Sequence, residues 1–411
     1  MQGSPKKNWR ITLAAVLMIV LVFTIGAWMM APNIVNMIHN TLPTTIIGYP
    51  GSTSHARVTA ILEEGPITLG EREQTYQVFT SEVMEGDYEG ETFTMDLGIR
   101  QQVPDGFRLE AGDRILVWVD ENPVDGSLNA TYIDYYRFPA LVVLFGLFVV
   151  TSVAVSGRKG IRGLFGVGLG LLIIVFYILP NILNGHDPVW VSIFGSLFFL
   201  AVSLYIVYGW NMKTHSAVVG TALSLLLTGI IAYLSVRLAR LTGFGDENAM
   251  FLAQLSPNPI NFSGLLLAGI LIGSLGVLDD LVIGQSSAVF ELNAANERLT
   301  FRMLYRRAMN IGRDHVAATV NTLVLAYTGA ALPMLLLFSL NSQDYSMLFN
   351  VSMIAEEVVR TLVGSIGLFL AVPITTAIAC LAATQHHRLG RFEPLLGPKN
   401  SWDSDSVFHS D

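Results

Sequence analysis

Two adjacent carboxylates, Asp279 and Asp280, stand inside a run of apolar and small residues. An aspartate near the centre of a bilayer costs roughly 2.5–3.5 kcal/mol on insertion scales, so a pair there needs partners, water or a proton. Two neighbouring carboxylates do not both ionise readily in a low dielectric, which leaves one of them able to take up a proton or a cation. At helical spacing Gly269, Gly273, Gly276, Asp280, Gly284, Ser287 and Glu291 fall on one stripe. Small residues there admit a neighbouring helix and turn the carboxylate toward protein rather than lipid. The plainer alternative puts the pair low in its helix, reaching water or capping a helix end.

Two further polar sets lie downstream. Glu356, Arg360, Gly364, Gly367, Ala371 and Thr375 form a second stripe, with Glu356 and Arg360 spaced as an i,i+4 ion pair and Glu357 beside them. Pro373 in the same segment permits a kink. Asp314, Ala317, Asn321 and Thr328 share a third face that starts next to Arg313, where Asn321 serves either as interhelical glue or as a ligand. No phosphate-cradling Gly-rich loop, His-Glu-x-x-His or Gly-x-Ser-x-Gly occurs, so neither an ATP engine nor an enzyme is expected. The single cysteine, Cys380, excludes an internal disulfide and a multi-cysteine metal site. His386–His387 reads as tail composition, and no metal or cofactor is expected.

The elements that must position these residues follow from composition. The chain has 411 residues, 52% hydrophobic and only 14% charged, against about 25% charged in a soluble domain. A net charge of -8 argues against nucleic acid as a partner. Apolar runs cover Ile11 to Met30, Phe138 to Ser156, Leu164 to Leu183, Trp190 to Tyr208, Ala217 to Val236, Phe262 to about Ser287, Val316 to Ser339, and Thr361 to Ala383. That predicts a polytopic α-helical membrane protein of about eight transmembrane helices. The first run lacks a small-residue cleavage site and reads as an uncleaved anchor. Lys6, Lys7, Arg10, Arg158, Lys159, Arg162, Lys213, the arginines from Arg298 to Arg313, Arg388, Arg391 and Lys399 fall in alternate segments. The positive-inside rule then predicts a cell-membrane protein with both termini cytoplasmic, Arg237 and Arg240 fitting least well. Arg298, Arg302 and Arg306, with Phe301, Leu304 and Tyr305, suggest a short amphipathic helix on the inner leaflet.

Between the first two spans the hydropathy falls. Arg57–Leu62, Thr75–Thr80 and Arg114–Val119 read as strands, separated by turn signals at Glu64–Gly65–Pro66, Glu85–Gly86–Asp87, Pro104–Asp105–Gly106 and Ala111–Gly112–Asp113. Short strands over this length predict a small extracytoplasmic β-rich domain, an OB-like barrel. It holds about seventeen acids against about six arginines, so an anionic partner does not suit it. The predicted organisation is a cytoplasmic N-terminus (1–10), an anchor (11–31), the β domain (32–137), a seven-helix membrane domain (138–384) and a cytoplasmic tail (385–411).

The chain from Gly264 to Thr376 resembles the YibE/F family of bacterial multi-spanning membrane proteins. The resembling blocks are Leu-Gly-Val-Leu-Asp-Asp at 275–280, Ser-Ser-Ala-Val-Phe-Glu-Leu at 286–292, Asn-Ile-Gly-Arg-Asp-His at 310–315, Thr-Val-Asn-Thr-Leu-Val-Leu-Ala-Tyr at 319–327 and Glu-Glu-Val-Val-Arg-Thr-Leu-Val-Gly-Ser-Ile-Gly at 356–367. Asp134-Tyr-Tyr-Arg137 and Tyr208-Gly-Trp-Asn-Met-Lys213 also fit. The resemblance implies Asp279, Glu291, Gly312–Arg313–Asp314, Asn321, Glu357 and Arg360 as motif positions, while Asp280 marks one branch of the family. It implies topology and candidate residues but no substrate.

The expected function is a secondary transporter or permease. Asp279, Asp280, Glu291, Asn321, Glu357 and Arg360 are the candidates for substrate or ion coupling, with Arg313, Asp314 and Ser287 secondary. Its partners are the lipid bilayer, a small solute or ion and, as candidates, an extracytoplasmic protein and a second copy of the chain. The alternative is a scaffold or sensor whose outer domain binds a partner. An intramembrane enzyme would need a cross-helix pair, for which Asp279 with Asp314 is the only aspartate combination offered by the sequence.

Overall fold

The computed structural model of the chain describes residues 52–121, 126–256, 258–340, 347, 349–385 and 396–398. The predicted anchor Ile11–Met30 and the His386–His387 pair lie outside these residues. Contacts divide the chain into two units, one reaching to Val155 and the other starting at Ser156.

Alternating apolar and polar residues build the first unit. Strands β1 (Ser52–Leu69), β2 (Arg72–Val83), β3 (Thr92–Leu97), β4 (Arg114–Glu121) and β5 (Leu128–Tyr135) form one antiparallel sheet in the order β3-β2-β1-β4-β5. The side chains on one face, among them Phe79, Ile115 and Val117, are buried into a single core with Leu109 from the β3–β4 connection. The turn signal at Glu64–Gly65–Pro66 is overridden, because β1 runs on to Leu69 and turns at Gly70, whose φ is 69°. Pro66 is tolerated there because β1 pairs with β4 only as far as Arg57 and with β2 alone beyond it.

The long connection from β3 to β4 is held by two buried glutamines on β2. Gln74 donates to the carbonyls of Gly98 (2.7 Å) and Gln101 (2.9 Å), and its oxygen accepts from the Val103 amide (3.2 Å). Gln77 accepts from the Leu109 amide (2.8 Å) and donates to the Leu109 carbonyl (3.1 Å). Replacing Gln77 by alanine strands both backbone groups in a buried place and should cost about 2–3 kcal/mol. The expected sign is accelerated amide exchange at Leu109; unchanged exchange would mean that other contacts hold this loop. Where the sheet ends, the Arg137 guanidinium, 2.5 Å from Asp134, holds that carboxyl below the usual aspartate range.

Helix α1 (Phe138–Gly157) follows directly and breaks at Gly157, where φ is 55°. In the second unit, α2 (Gly160–Leu183) carries a π turn at Ile174–Ile178. Helix α3 (Pro188–Tyr208) starts where Asp187 accepts from the Val189 and Trp190 amides, and stops at Gly209, φ 78°. Asn211 caps α4 (Met212–Leu238), and Asn261 caps α6 (Phe262–Ala295); a short helix, α5 (Glu247–Leu255), lies between them. Helix α7 (Phe301–Ala330) is bent by 59° against α8 (Leu332–Leu340), and α9 (Ser352–Gln385) runs unbroken through Pro373. The amphipathic segment at Arg298–Tyr305 is therefore no separate helix: from Phe301 onward it is the start of α7, which continues to Ala330.

Among the described residues six helices are long and apolar enough to cross a membrane, and α7 with α8 makes a seventh if the bent pair is one span. The core of the unit is formed by α4, α6 and α9, with Leu225, Leu271, Leu278, Leu281 and Leu368 buried among them. Glycine sets the spacing. A Cβ on Gly367 would lie 2.4 Å from Thr228 Oγ1, and one on Gly220 would lie 2.5 Å from Thr375 Oγ1.

Candidate functional site

The two stripes on α6 and α9 fare differently. On α9, Glu356, Gly364, Gly367, Ala371 and Thr375 are buried, as the spacing predicts. On α6, Gly269, Gly276, Asp280 and Glu291 are exposed, and a Cβ on Gly269 or Gly276 would meet nothing within 4 Å. Only Gly273 and Gly284 touch a neighbour, α7, through Tyr327 and His315. The carboxylate that the bundle encloses is therefore Asp279 and not Asp280. One residue turns a helix by about 100°, and the face packed on α4 and α9 is the one holding Leu271, Leu275 and Leu278.

Asp279 is half-buried, and its Oδ1 is enclosed and has no hydrogen-bond partner among the described residues. Tyr208, at the end of α3, lies within electrostatic reach of both Asp279 and Asp280. Lys213, read from sequence as a loop charge, is 7% exposed, with Nζ 6.0 Å from the centre of the Tyr208 ring. Ser286 Oγ donates to the Lys213 carbonyl (2.8 Å), fastening α4 to α6, while Ser287 is only half-buried. Sequence reasoning missed both Tyr208 and Lys213; the signal available was Tyr208-Gly-Trp-Asn-Met-Lys213, an aromatic and a cation separated by a turn. Chemically this end of the bundle offers an enclosed carboxylate, a phenol and a buried ammonium.

A second cluster stands toward the opposite end of α6. Arg360 Nη1 pairs with Glu357 (3.1 Å), and both side chains are about one-third exposed. Tyr327, seated against Gly273, lies within electrostatic reach of this pair. The expected Glu356–Arg360 ion pair is not formed. Glu356 instead accepts from the amides of Gly243 and Gly245, each at 3.1 Å, and is 5% exposed. The loop after α4 supplies two backbone donors, which bind a carboxylate that would otherwise be buried without partners. Gly243 is fixed in this loop by φ 81° and by Phe262 O, which a Cβ would approach to 2.2 Å.

The remaining candidates are not brought to Asp279. Arg313, Asp314 and Asn321 are exposed on α7, and Glu291 is exposed on α6. The buried residues of α7 are Leu304, Ala308, Gly312, Val316 and Leu323, so Asp314 and Asn321 lie on its far side. The combination of Asp279 with Asp314 is thereby excluded as a pair. Gln285, which the sequence reading passed over, joins three helices: its Nε2 donates to Ala308 O (3.0 Å) and Thr376 Oγ1 (2.7 Å). Among the described residues no three His, Cys, Asp or Glu side chains gather as metal ligands.

A family profile described as YibE/F-like protein matches residues 144–385. The chain belongs to this family. No curated protein and no solved structure matches it. The YibE/F-like segment begins inside α1 and ends with α9, so it holds Asp279, Lys213, Glu357 and Arg360, while the β sheet lies outside it. The YibE/F-like part thus holds two separate polar clusters along one helical bundle.

Proposed function

We propose that this YibE/F-like protein is a secondary transporter or permease of the cytoplasmic membrane, with Asp279 loading a proton or a cation. The supporting observation is Asp279 Oδ1, enclosed among helices with no donor to bind it among the described residues. A carboxylate oxygen in that position is stabilised by a proton, a cation or a substrate group beside it. Lys213 and Tyr208 stand at the end of the bundle from which such a ligand would enter, and Arg360 with Glu357 and Tyr327 forms a second station further along. In this reading Arg360 either meets an anionic substrate or returns to Glu357 when that station closes. The positive residues orient the Lys213 end toward the cytoplasm, and Ile11–Met30 supplies an eighth crossing.

The first unit favours an OB-like barrel, since β3 and β5, the two edges of the sheet, approach one another. Its own core supports a second reading, a scaffold or sensor in which this domain binds an extracytoplasmic partner.

A ligand panel of ions, metals, amino acids, nucleotides and lipids, read by thermal melting of the purified protein, separates the two. A ligand at 100 times its dissociation constant adds about 2.7 kcal/mol of apparent stability. The transport reading expects such a shift in wild type and its loss in Asp279→Asn. Shifts retained in Asp279→Asn, together with loss of cellular activity on deleting residues 53–137, would replace it with the scaffold.

A further inference from the structure

Beyond α9 the chain returns to the start of α4. Leu396 is seated against an apolar cluster drawn from α4, α6, α7 and α9, which includes Met212, Phe290 and Cys380. Pro398 O accepts from the Met212 amide (3.1 Å), and Leu396 O accepts from His215 Nε2 (3.0 Å). A carbonyl only accepts, so His215 carries a proton on Nε2, and in the neutral ring Nδ1 is left to accept from the Tyr205 hydroxyl (2.7 Å). These two contacts bracket Lys213, whose side chain is buried. Between them Gly397 takes φ 75°, and a Cβ there would stand 2.6 Å from Trp210 O.

The turn underneath is complete without this segment. Asn211 Oδ1 accepts from the Thr214 amide (2.9 Å) and the Thr214 hydroxyl (3.1 Å). Its Nδ2 donates to Tyr208 O (2.8 Å), and its carbonyl accepts from the His215 amide (3.0 Å). The Trp210 ring lies against Tyr205 and His215, with centres 4.7 Å from each. Leu396–Pro398 thus adds two hydrogen bonds and one leucine to an end of the bundle that already holds its shape. Contacts so few belong to the parts of a fold that open locally.

We propose that Leu396–Pro398 is a strap that closes the Lys213 end of the bundle and lifts from it while the helices stay folded. Seated, it covers Lys213 and occupies the Met212 amide and the His215 ring with its own carbonyls. Lifted, it uncovers all three together, and the Asn211 cap keeps the first turn of α4 in place. The strap binds through main-chain oxygens, so its sequence matters at two positions: Leu396, which fills the apolar seat, and Gly397, which alone tolerates the crossing over Trp210. The inference concerns access to Lys213 and stands whether or not Asp279 couples transport.

The test uses the full chain purified in detergent and two readouts. The first is acylation of Lys213 by a water-soluble amine reagent, followed by mass spectrometry, with Lys6 and Lys7 giving the reference rate. Gly397→Val puts a β-branched residue at φ 75°, and Leu396→Ser empties the apolar seat; neither touches a helix. Labelling scales with the open fraction, so a strap seated nine-tenths of the time gives about tenfold faster acylation of Lys213 in both variants. The second readout is amide exchange. In wild type the Met212 amide should exchange at least about tenfold faster than that of Leu225, buried in the middle of α4. Lys213 acylated at the wild-type rate in both variants overturns the proposal. So does a Met212 amide that exchanges only as fast as Leu225, because the segment then leaves only when the bundle unfolds. Faster exchange at Leu225 in both variants overturns it too, since Leu396–Pro398 would then be part of the frame and not a strap upon it.

Discussion

Asp279→Asn is expected to melt no lower than wild type, while ligand-driven flux in proteoliposomes falls to that of protein-free vesicles. The two halves of this expectation share one cause. Asp279 Oδ1 is enclosed without a donor among the described residues, and an ionised carboxylate with one oxygen so placed carries part of the desolvation penalty of a buried ion. Asparagine keeps the shape and removes the charge, so the folded state should gain about 1–3 kcal/mol, as is common when a strained functional group is neutralised. Asp280→Asn is the control. Its side chain is exposed, and its stability should stay within about 0.5 kcal/mol of wild type. A lower melting temperature for Asp279→Asn would show that the carboxylate is held by a structural partner, and the coupling role would go with it.

The second large effect is mechanical. Gly367→Ala should destabilise the bundle by about 1–3 kcal/mol, since one added methyl meets a side chain with nowhere to go. The new Cβ would stand 2.4 Å from Thr228 Oγ1 and 3.0 Å from its Cγ2. Thr228 is fully buried, and its hydroxyl donates to Ser224 O (2.8 Å). Adding Thr228→Ala removes both obstructing atoms and leaves only its Cβ, 3.3 Å away. The double variant should therefore recover part of the loss, with a coupling of about 0.5–3 kcal/mol between the two sites. A neutral single variant would mean that α4 and α9 slide apart easily. A double variant no better than Gly367→Ala alone would place the strain elsewhere.

What the sequence disclosed follows a physical division. The long apolar helices and the buried stripe of α9 were legible because apolar and small residues recur at a fixed period, and period is a local property. Which aspartate points inward was not. Asp279 and Asp280 differ by one residue, and the choice between them belongs to the neighbouring helices, whose own phase has to be known first. Gln285 was invisible for a related reason: an isolated amide in an apolar run has no partner in sequence, and Thr376 lies 91 residues away. The Glu356–Arg360 pair fits the helical spacing of charges, yet the glycine loop at Gly243–Gly245 offers Glu356 two amides that spacing does not reveal. Glu64–Gly65–Pro66 looked like a turn because glycine and proline break ladders, but a two-stranded ribbon with a free side tolerates both.

Helix α4 is fastened at both ends by parts of the chain that are made much later. At its start, the Met212 amide donates to Pro398 O (3.1 Å), and His215 Nε2 meets Leu396 O at 3.0 Å. Gly397, with φ 75°, fits this crossing because a Cβ there would come within 2.6 Å of Trp210 O. Beyond its end, the Gly243–Gly245 loop closes on Glu356. A ribosome releases residues 212–245 long before it adds residue 356, and longer still before residue 398. During synthesis α4 therefore waits with its two joints open, and the fold is sealed only once α9 and the segment after it have been delivered. Fusions or truncations that disturb Leu396–Pro398 should accordingly be felt at α4 rather than at the tail itself.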